Sequence, residues 1–424
     1  MGGEKAMTRL ACRDCGRVQS LGIYPRGCPA CTQAGKHGIL EVTYEYGGAV
    51  RTALQRAFDS PRAHSVWRFD VLLPMTARDA HAVTLGEGGT PLVEAGWLSD
   101  FASLQTVFLK NETSNPTWCS KDRAHALSVS VGRALKARGM VAVTTGNHGA
   151  STAAYSGHAG VPCIVLLAVE SDVIHRAMVA AYGGAGIVSA HREALLRHLV
   201  HELGWFAVTS MGDADAPNPF GVEAYKTIAY ELFEDLEGVP DAVIVPAASG
   251  DLLYGVYKGF RELRELGLAQ TCPRLIGCQA EGAAPLAHAF HDRLNDVPVL
   301  SQPKTMAISI GDATGGKPAL EAVQDSGGDI VTVTDEEILA AQRHLASHGV
   351  LVETASASSV AGAAAGLRAG VIRSRDKIVC VVTGSGAKWS TQLLSQTTAG
   401  VYLEPSPATV WNLAHTLEKL PQPG

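Results

Sequence analysis

Charged residues are scarce in this 424-residue chain, at 18% of the sequence, and aromatic residues make up only 6%. The net charge of −6 gives no sign of a nucleic-acid surface or an anionic-membrane surface. No apolar run approaches the roughly 18 residues that a membrane-spanning helix needs. Residues 1–7 also lack the apolar core of a secretory signal. We therefore expect a cytoplasmic protein that binds neither nucleic acid nor membrane.

Hydrophobic residues make up 46% of the chain, which allows a large core and two or three domains. Short apolar segments alternate with helical patterns from residue 121 onward. Strands are predicted at 107–110, 141–144, 163–168, 186–188, 206–208, 242–245, 275–278, 330–333 and 378–382. Helices are predicted at 121–138, 151–159 and 334–347, and the small-residue stretch 355–370 reads as a closely packed helix. This alternation predicts an α/β protein with parallel sheets covered on both faces.

The most informative side chain is Lys121, which follows Asn115-Pro116-Thr117 and opens a predicted helix. Some twenty residues later a predicted strand ends in a glycine-asparagine loop around Asn147. An amine and an asparagine in this order can hold an aldehyde cofactor as a Schiff base and bind its ring. Lys226 is an alternative amine, although it lies inside a long helical pattern.

Two further strand-turn-helix segments complete the requirements of a phosphorylated aldehyde cofactor. In the first, backbone N–H groups of a small-residue turn can cradle a phosphate at a helix start. That turn comprises Ala247, Ala248, Ser249, Gly250, Asp251 and Leu252. We expect Asp251 to be the helix N-cap, with its carboxylate turned away from the phosphate. In the second segment, Thr383 is the candidate partner of the pyridine nitrogen, and a neutral hydroxyl there favours elimination or replacement over transamination.

Cysteines form a separate pattern near the start of the chain. Cys12, Cys15, Cys28 and Cys31 follow the spacing C-x2-C-x12-C-x2-C. Two such pairs beside glycine turns predict a closed, structural Zn²⁺ site of the zinc-ribbon type, and a redox dithiol is the alternative.

Taken together, the motifs resemble those of the fold-type-II pyridoxal-phosphate enzymes (tryptophan synthase β-like), and most closely the threonine synthase family, over residues 85–389. The similar segments are Gly86-Glu87-Gly88-Gly89-Thr90-Pro91-Leu92, Asn115-Pro116-Thr117 with Lys121-Asp122-Arg123, Thr145-Gly146-Asn147, Asn218-Pro219 with Glu223, Lys226 and Thr227, and Thr383-Gly384 with Gly386 and Lys388. The resemblance implies that Lys121 forms the Schiff base and that Asn147 holds the ring oxygen. It also implies that the loop of Thr144, Thr145, Gly146, Asn147 and His148 receives the substrate carboxylate.

Several positions depart from that family. Trp118-Cys119-Ser120 stands where the family has G-S-F, and Gly221 stands where an arginine is usual. The turn 247–251 replaces a phosphate loop of the form G-N-A-G-N. His148 is more typical of serine and threonine dehydratases. Cys119 is either packed or lines the site.

We expect two doubly wound domains with the cofactor between them. The ribbon is placed at 1–45, the larger domain at 46–122 and 236–400, the smaller at 123–235, and a C-terminal extension at 401–424. The expected enzyme is a lyase or replacement enzyme that works as a homodimer, with Lys121 as general base. Its expected substrate is an activated amino acid, a class that includes O-phosphorylated amino acids. Two alternatives stay open: a dehydratase or diamino-acid ammonia-lyase, and a catalytically silent binding or regulatory relative.

Overall fold

The computed structural model describes residues 6–213 and 215–392, so the extension at 401–424 lies outside the described residues. The first elements are β1 (Thr8–Cys12), β2 (Val18–Gln19), α1 (Pro29–Gln33) and β3 (Leu40–Tyr44). They are followed by α2 (Gly48–Asp59), β4 (Leu92–Glu94), α3 (Ser99–Ala102), β5 (Thr106–Asn111) and α4 (Lys121–Ala134).

The middle of the chain continues the alternation of strands and helices. Its elements are β6 (Met140–Thr144), α5 (Asn147–His158), β7 (Cys163–Leu167), α6 (Val173–Ala181), β8 (Ala185–Val188), α7 (Arg192–Arg197), β9 (Phe206–Ala207), α8 (Gly221–Tyr225) and α9 (Thr227–Asp235). The last part holds β10 (Ala242–Pro246), α10 (Asp251–Glu265), β11 (Arg274–Ala280), α11 (Pro285–His291), α12 (Lys317–Asp325), β12 (Asp329–Val333), α13 (Asp335–Ser347), α14 (Thr354–Arg368) and β13 (Lys377–Val382).

Two largely parallel sheets organise most of the chain. The larger has the order β12-β11-β10-β13-β5-β4, with only β4 antiparallel at its edge, and the smaller has the order β8-β7-β6-β9. Non-consecutive neighbours such as β10 and β13 require helical crossovers, which cover the sheet faces. The α/β fold class predicted from the sequence is confirmed. The exact domain boundaries remain a prediction.

The small-residue helix α14 is packed as the sequence indicates. A side chain at Gly362 would bring its Cβ within 2.7 Å of the Cys278 sulfur on β11. Glycine therefore allows the helix to approach the sheet closely, which confirms the prediction that 355–370 is a packed helix and not a linker. Across the described residues, no helix combines the length and apolarity that crossing a bilayer demands.

Two helix boundaries differ from the prediction by four residues each. Helix α4 ends at Ala134, four residues earlier than expected, and Lys136 adopts a left-handed φ of 59° that interrupts the helical path. Helix α5 begins at Asn147, four residues earlier than expected. The Thr144 hydroxyl accepts hydrogen bonds from the amides of Gly146 and Gly149, which folds the turn tightly enough for the helix to start at once.

A three-stranded antiparallel sheet, β2-β1-β3, forms the N-terminal unit. It is joined to the larger α/β unit by buried polar contacts. The Arg13 guanidinium reaches Glu41 and also Glu321 on α12, while Lys258 on α10 donates to the carbonyl of Val42. The Tyr44 hydroxyl donates to Glu223 on α8 at 2.7 Å. The N-terminal unit is therefore tied to the same helices that surround Lys121.

Candidate active site

Three segments predicted to form the site meet at the carboxyl ends of the parallel strands. The amide of Ser120 donates to the Thr383 carbonyl at 2.8 Å, and the amide of Ser385 donates to the Trp118 carbonyl at 3.0 Å. Thr383 follows β13 directly, just as Thr144 ends β6 and Pro246 ends β10. Parallel strands place their carboxyl ends along one edge, where open α/β sheets bind ligands. The fold thus brings Lys121 close to the turn that carries Thr383.

Lys121 is the first residue of α4, and its ammonium lies 5.6 Å from the centre of the Tyr225 ring on α8. Burial acts to lower the pKa of Lys121, but Tyr225, Asp251 and Cys119 outweigh it, so the pKa is raised. Lys121 is therefore surrounded by groups that favour its charged form. Cys119 itself is buried, and its side chain lies 3.7 Å from the Thr117 hydroxyl.

The loop before Lys121 is held from two sides. The Asp122 carboxylate accepts from the Thr117 amide at 2.6 Å and from the Ser151 hydroxyl, and Lys388 donates to the Thr117 carbonyl at 2.7 Å. Within this loop Trp118 has a left-handed φ of 62° and leaves 48% of its surface exposed. A side chain in that backbone region costs roughly 1–2 kcal/mol, which fits the glycine found there in the resembling family.

The Asn147 side chain occupies the first position of α5 and is buried. Its amide nitrogen donates to both carboxylate oxygens of Glu353, at 3.0 and 2.8 Å, and its oxygen lies 3.2 Å from the Nε2 atom of His175. Glu353 also contacts the Thr383 turn, since its own amide donates to the Gly384 carbonyl at 3.0 Å. Glu353 therefore contacts both the predicted ring-oxygen partner and the turn that carries the predicted ring-nitrogen partner.

The Thr383 hydroxyl lies 2.9 Å from the Ser356 hydroxyl at the start of α14. The Ser356 oxygen already accepts from the amides of Thr383 and Gly384, at 2.9 and 2.6 Å. A hydroxyl oxygen has two lone pairs. The single hydrogen of Ser356 can be donated to the Gly384 carbonyl, at 3.0 Å, or to Thr383, and the Ser356 oxygen has no lone pair left for Thr383. The Thr383 hydrogen therefore stays available for a ligand acceptor. This arrangement suits a ring nitrogen.

The predicted phosphate turn lies between β10 and α10. Gly250 has a left-handed φ of 91°, and a Cβ there would lie 2.3 Å from that of Ala319, so glycine is required. The expectation that Asp251 is the N-cap is wrong, because Gly250 takes that position and Asp251 is the first helical residue. The first amides of α10 have no intrahelical acceptor and suit an anion.

The Asp251 carboxylate turns toward the segment after β9 and accepts from the amide of Met211 at 3.0 Å. Burial raises its pKa to about 6; Met211 and Lys121 oppose the shift, while Asp213 and Asp312 add to it. Two further carboxylates, those of Asp213 and Asp312, thus lie within electrostatic range of Asp251 near the predicted phosphate turn. A dianionic phosphate would meet more negative charge here than the turn geometry alone suggests.

His148 has both ring nitrogens engaged. Its Nε2 atom donates to the carbonyl of Val208, which only accepts, and its Nδ1 atom lies 3.1 Å from Nε2 of His125. Burial and the charge of Lys121 lower the pKa of His148 to about 4. A neutral imidazole with both ring nitrogens in hydrogen-bond contact orients the loop. In the same loop the Gly146 amide is taken by Thr144, whereas the first amides of α5 lack intrahelical acceptors.

The alternative amine, Lys226, is fully buried in an ion-pair network. It contacts Glu223 at 2.8 Å and Glu262 at 3.0 Å, and its ammonium lies 3.9 Å from the centre of the Tyr44 ring. A buried lysine held by two carboxylates stabilises the packing of the helices and is a poor candidate for the cofactor amine. The motif residue Thr227 accepts from Arg123 at 2.9 Å, and Arg123 pairs with Glu112 and Glu231. This motif therefore fixes helix α4 and does not face a ligand.

The four N-terminal cysteines come together as the spacing predicts. Their sulfur atoms all lie within 4.8 Å of one another, with 3.7 Å between Cys12 and Cys31 and between Cys15 and Cys28. A tetrahedral Zn–S4 site with bonds of about 2.3 Å has sulfur–sulfur edges of about 3.8 Å. The observed separations fit such an ion, and the cysteines are free thiols. Amides of Asp14 and Cys15 bind the Cys12 sulfur.

Sequence reasoning missed Glu353, His175, Ser356 and Tyr225. Glu353 and Ser356 stand in Val352-Glu353-Thr354-Ala355-Ser356, just before the small-residue helix. An ionisable residue beside such an apolar stretch was a usable signal. His175 offered none, because it lies in an ordinary amphipathic helix. Tyr225 lies between the motif residues Glu223 and Lys226 in a helix whose five residues are all buried, so its position in that motif was a usable signal.

Comparison with known proteins gives three results. The family described as "Pyridoxal-phosphate dependent enzyme" matches residues 83–384. The threonine synthase of Methanocaldococcus jannaschii is 34% identical over 388 residues, which cover 89% of this chain and 92% of that protein. The threonine synthase of Methanosarcina acetivorans is 33% identical over 387 residues, which cover 89% of this chain and 91% of that protein. A processed threonine deaminase isoform 2 from Solanum lycopersicum superimposes with a TM-score of 0.63 at 20% identity, covering 90% of this chain and 97% of that one; this likeness concerns the fold.

Proposed function

Because the chain belongs to the family of pyridoxal-phosphate-dependent enzymes, among its threonine synthase-like members, we propose that it eliminates or replaces a group at the β or γ carbon of an amino acid. The enzyme class is that of a pyridoxal-phosphate-dependent lyase. The observation that carries the proposal is the position of Lys121. Its amine opens a helix directly beside the Thr383 turn, with Tyr225 and Asp251 within electrostatic range.

Each part of the cofactor has a candidate partner in the chain. The Lys121 amine would hold the aldehyde, Asn147 would donate to the ring oxygen, and the Thr383 hydroxyl would donate to the ring nitrogen. The turn of Ala247, Ala248, Ser249, Gly250, Asp251 and Leu252 would hold the phosphate. When bound, the cofactor supplies an electron sink for the α carbon of the substrate. A neutral hydroxyl at the ring nitrogen makes that sink weaker, which favours elimination or replacement.

The chain's own residues would then move protons and hold the substrate. Once released, the Lys121 amine would accept the α proton as general base. Free amides in the segment of Thr144, Thr145, Gly146, Asn147 and His148 would bind the substrate carboxylate. Among them the amides of Asn147 and His148 are the best supported, because the first residues of a helix have no intrahelical acceptor.

The substrate is the point on which the candidates differ. A threonine synthase-like reaction needs a place for an O-phosphorylated side chain. A Cβ at Gly221, where the family usually has arginine, would lie 3.5 Å from the side chains of Ala124 and Ser128, and this position itself supplies no guanidinium. The carboxylates of Asp251 and Asp312 add negative charge near Lys121. These features favour the second candidate, a dehydratase or diamino-acid ammonia-lyase, whose leaving group carries no phosphate.

The test has two stages. Purified protein with added pyridoxal phosphate should develop a visible absorbance band that is absent in Lys121→Ala. A colourless wild type would refute the cofactor assignment and leave the silent-relative hypothesis standing. A substrate panel read by phosphate, ammonia or keto-acid release then separates the two enzymatic candidates. Phosphohomoserine that yields no threonine would exclude the threonine synthase reaction.

We further propose a structural Zn²⁺ ion bound by Cys12, Cys15, Cys28 and Cys31. Support comes from the sulfur–sulfur separations and from Gly38, where a Cβ would lie 2.7 Å from the Cys31 sulfur. The closed set of four thiolates leaves no coordination position for chemistry. A homodimer in the cytoplasm is also proposed, and light scattering of the purified protein would test the dimer.

A further inference from the structure

The Asn147 amide has a single allowed orientation. Glu353 is a carboxylate with acceptor atoms only, so the Asn147 nitrogen must face it and the Asn147 oxygen must face His175. The reverse orientation would place two acceptors in contact inside a buried site. Because Asn147 offers an oxygen to His175, the Nε2 atom of His175 must carry the hydrogen. The Nδ1 atom of His175 is then a buried acceptor without a partner among the described residues.

Glu353 is itself fixed on several sides. The carboxylate is 2% exposed and accepts from the indole of Trp389 as well as from Asn147, and the Ser309 hydroxyl lies 3.4 Å away. Its backbone amide holds the Gly384 carbonyl, and a Cβ on Gly384 would lie 2.8 Å from a Glu353 oxygen. A carboxylate this constrained cannot rotate away from Asn147. It links α5 of the smaller sheet to the turn after β13 of the larger sheet.

The Asn147 side-chain nitrogen has two hydrogens, and the Glu353 carboxylate can accept only one of them with good geometry. Both Glu353 oxygens lie within 3.0 Å of the same nitrogen, on one side of the amide. One N–H therefore points at the carboxylate, and the second is left for another acceptor. An amide bonded to a charged acceptor is also held more firmly than one bonded to a neutral group.

We propose that Glu353 and His175 are positioning residues that fix the Asn147 amide so that one N–H faces the ring oxygen of the cofactor. The inference rests on the proposed function, since it assumes that this site holds pyridoxal phosphate. Neither residue contacts the reacting atoms. Their effect is transmitted through Asn147.

Glu353→Gln is the first test. The glutamine oxygen can replace the Glu353 oxygen that accepts from both Asn147 and Trp389, but the glutamine nitrogen then takes the place of the oxygen that lies 3.0 Å from the Asn147 nitrogen. Two N–H donors then face each other, so the Asn147 amide is held less firmly in its orientation. We expect affinity for pyridoxal phosphate to fall about tenfold or more, in line with the loss of a hydrogen bond to a charged group. The visible band of the bound cofactor should also move, because the ring oxygen loses its fixed donor. Glu281→Gln, at an exposed position, removes the same charge and should bind as the wild type does.

His175 provides a second, independent pair of variants. His175→Gln keeps an N–H that can reach the Asn147 oxygen, whereas His175→Leu has no donor. We expect His175→Leu to bind the cofactor more weakly with a displaced band, and His175→Gln to recover wild-type behaviour. Because these variants leave the Glu353 carboxylate in place, they still test the proposal if Glu353→Gln fails to fold.

The readouts separate the possible failures. If the wild type binds pyridoxal phosphate and both Glu353→Gln and His175→Leu match it in affinity and band, the positioning role is refuted while the proposed function stands. Variants that lose thermal stability but keep the wild-type band would show a purely structural role and would also refute the inference. If the wild type itself shows no band, the proposed function and this inference fall together.

Discussion

Asp251→Asn should make the protein more stable at neutral and alkaline pH. Burial and two neighbouring carboxylates raise the pKa of Asp251 from 3.8 to about 6. When folding raises the pKa of an acid, the folded state loses stability relative to the unfolded state at every pH where the acid is ionised in the unfolded chain. At roughly 1.4 kcal/mol for each tenfold change in proton affinity, the penalty is about 3 kcal/mol above pH 7. It is absent below about pH 4, where Asp251 is protonated in both states, and it grows as the pH rises from there to about 6.

Asparagine is a close replacement because its oxygen can still accept from the Met211 amide. Thermal unfolding midpoints of wild type and Asp251→Asn should therefore coincide near pH 4 and separate in favour of the variant by pH 8. Asp292→Asn, at an exposed position, removes the same charge and should show no such pH-dependent gain. The variant should also bind pyridoxal phosphate more tightly, since one negative charge near the phosphate turn is gone. A variant that is no more stable than wild type at pH 8, or whose advantage persists unchanged at pH 4, would contradict this reasoning.

Two other outcomes follow from the buried groups. Lys226→Met removes the cation that Glu223 and Glu262 share at 2.8 and 3.0 Å, so we expect the free energy of unfolding to fall by about 3–5 kcal/mol. The visible cofactor band should be retained. Loss of that band from a folded variant would instead make Lys226 the cofactor amine. Cys28→Ser should abolish the stoichiometric zinc that atomic absorption measures and should lower the midpoint of thermal unfolding. Cys272→Ser, outside the cluster, should keep the metal. Zinc retained at full occupancy in Cys28→Ser would disprove the four-thiolate site.

The elements that hold the site were predictable because their signals are local. Apolar runs such as 242–245 and 378–382 identify buried parallel strands, and small residues after them identify turns. Parallel strands place such turns along one edge, so the meeting of Lys121 with Thr383 follows once the strands are recognised. The cysteine spacing works in the same way, because two short turns bring each pair of thiols together.

Helix starts were less predictable. Asn147 and His148 look like loop residues by composition, yet α5 begins at Asn147 because one threonine hydroxyl binds two amides of the turn. Asp251 looks like an N-cap, yet the left-handed backbone at Gly250 and the nearby Ala319 decide the start of α10. In both cases a specific contact overrides the average preference of the residue type.

The amino-acid sequence by itself determined the order of strands and helices, the amine at Lys121 and the four-cysteine cluster, since each depends on residues a few positions apart. Only the tertiary structure decided which side chains surround that amine. Glu353 meets Asn147 across 206 positions of the chain, and Tyr225 reaches Lys121 from another helix. The charge that Asp251 experiences likewise depends on Asp213 and Asp312, which no local pattern connects. Electrostatics and hydrogen-bond geometry act through space, so they become defined only when the sheets and helices have packed.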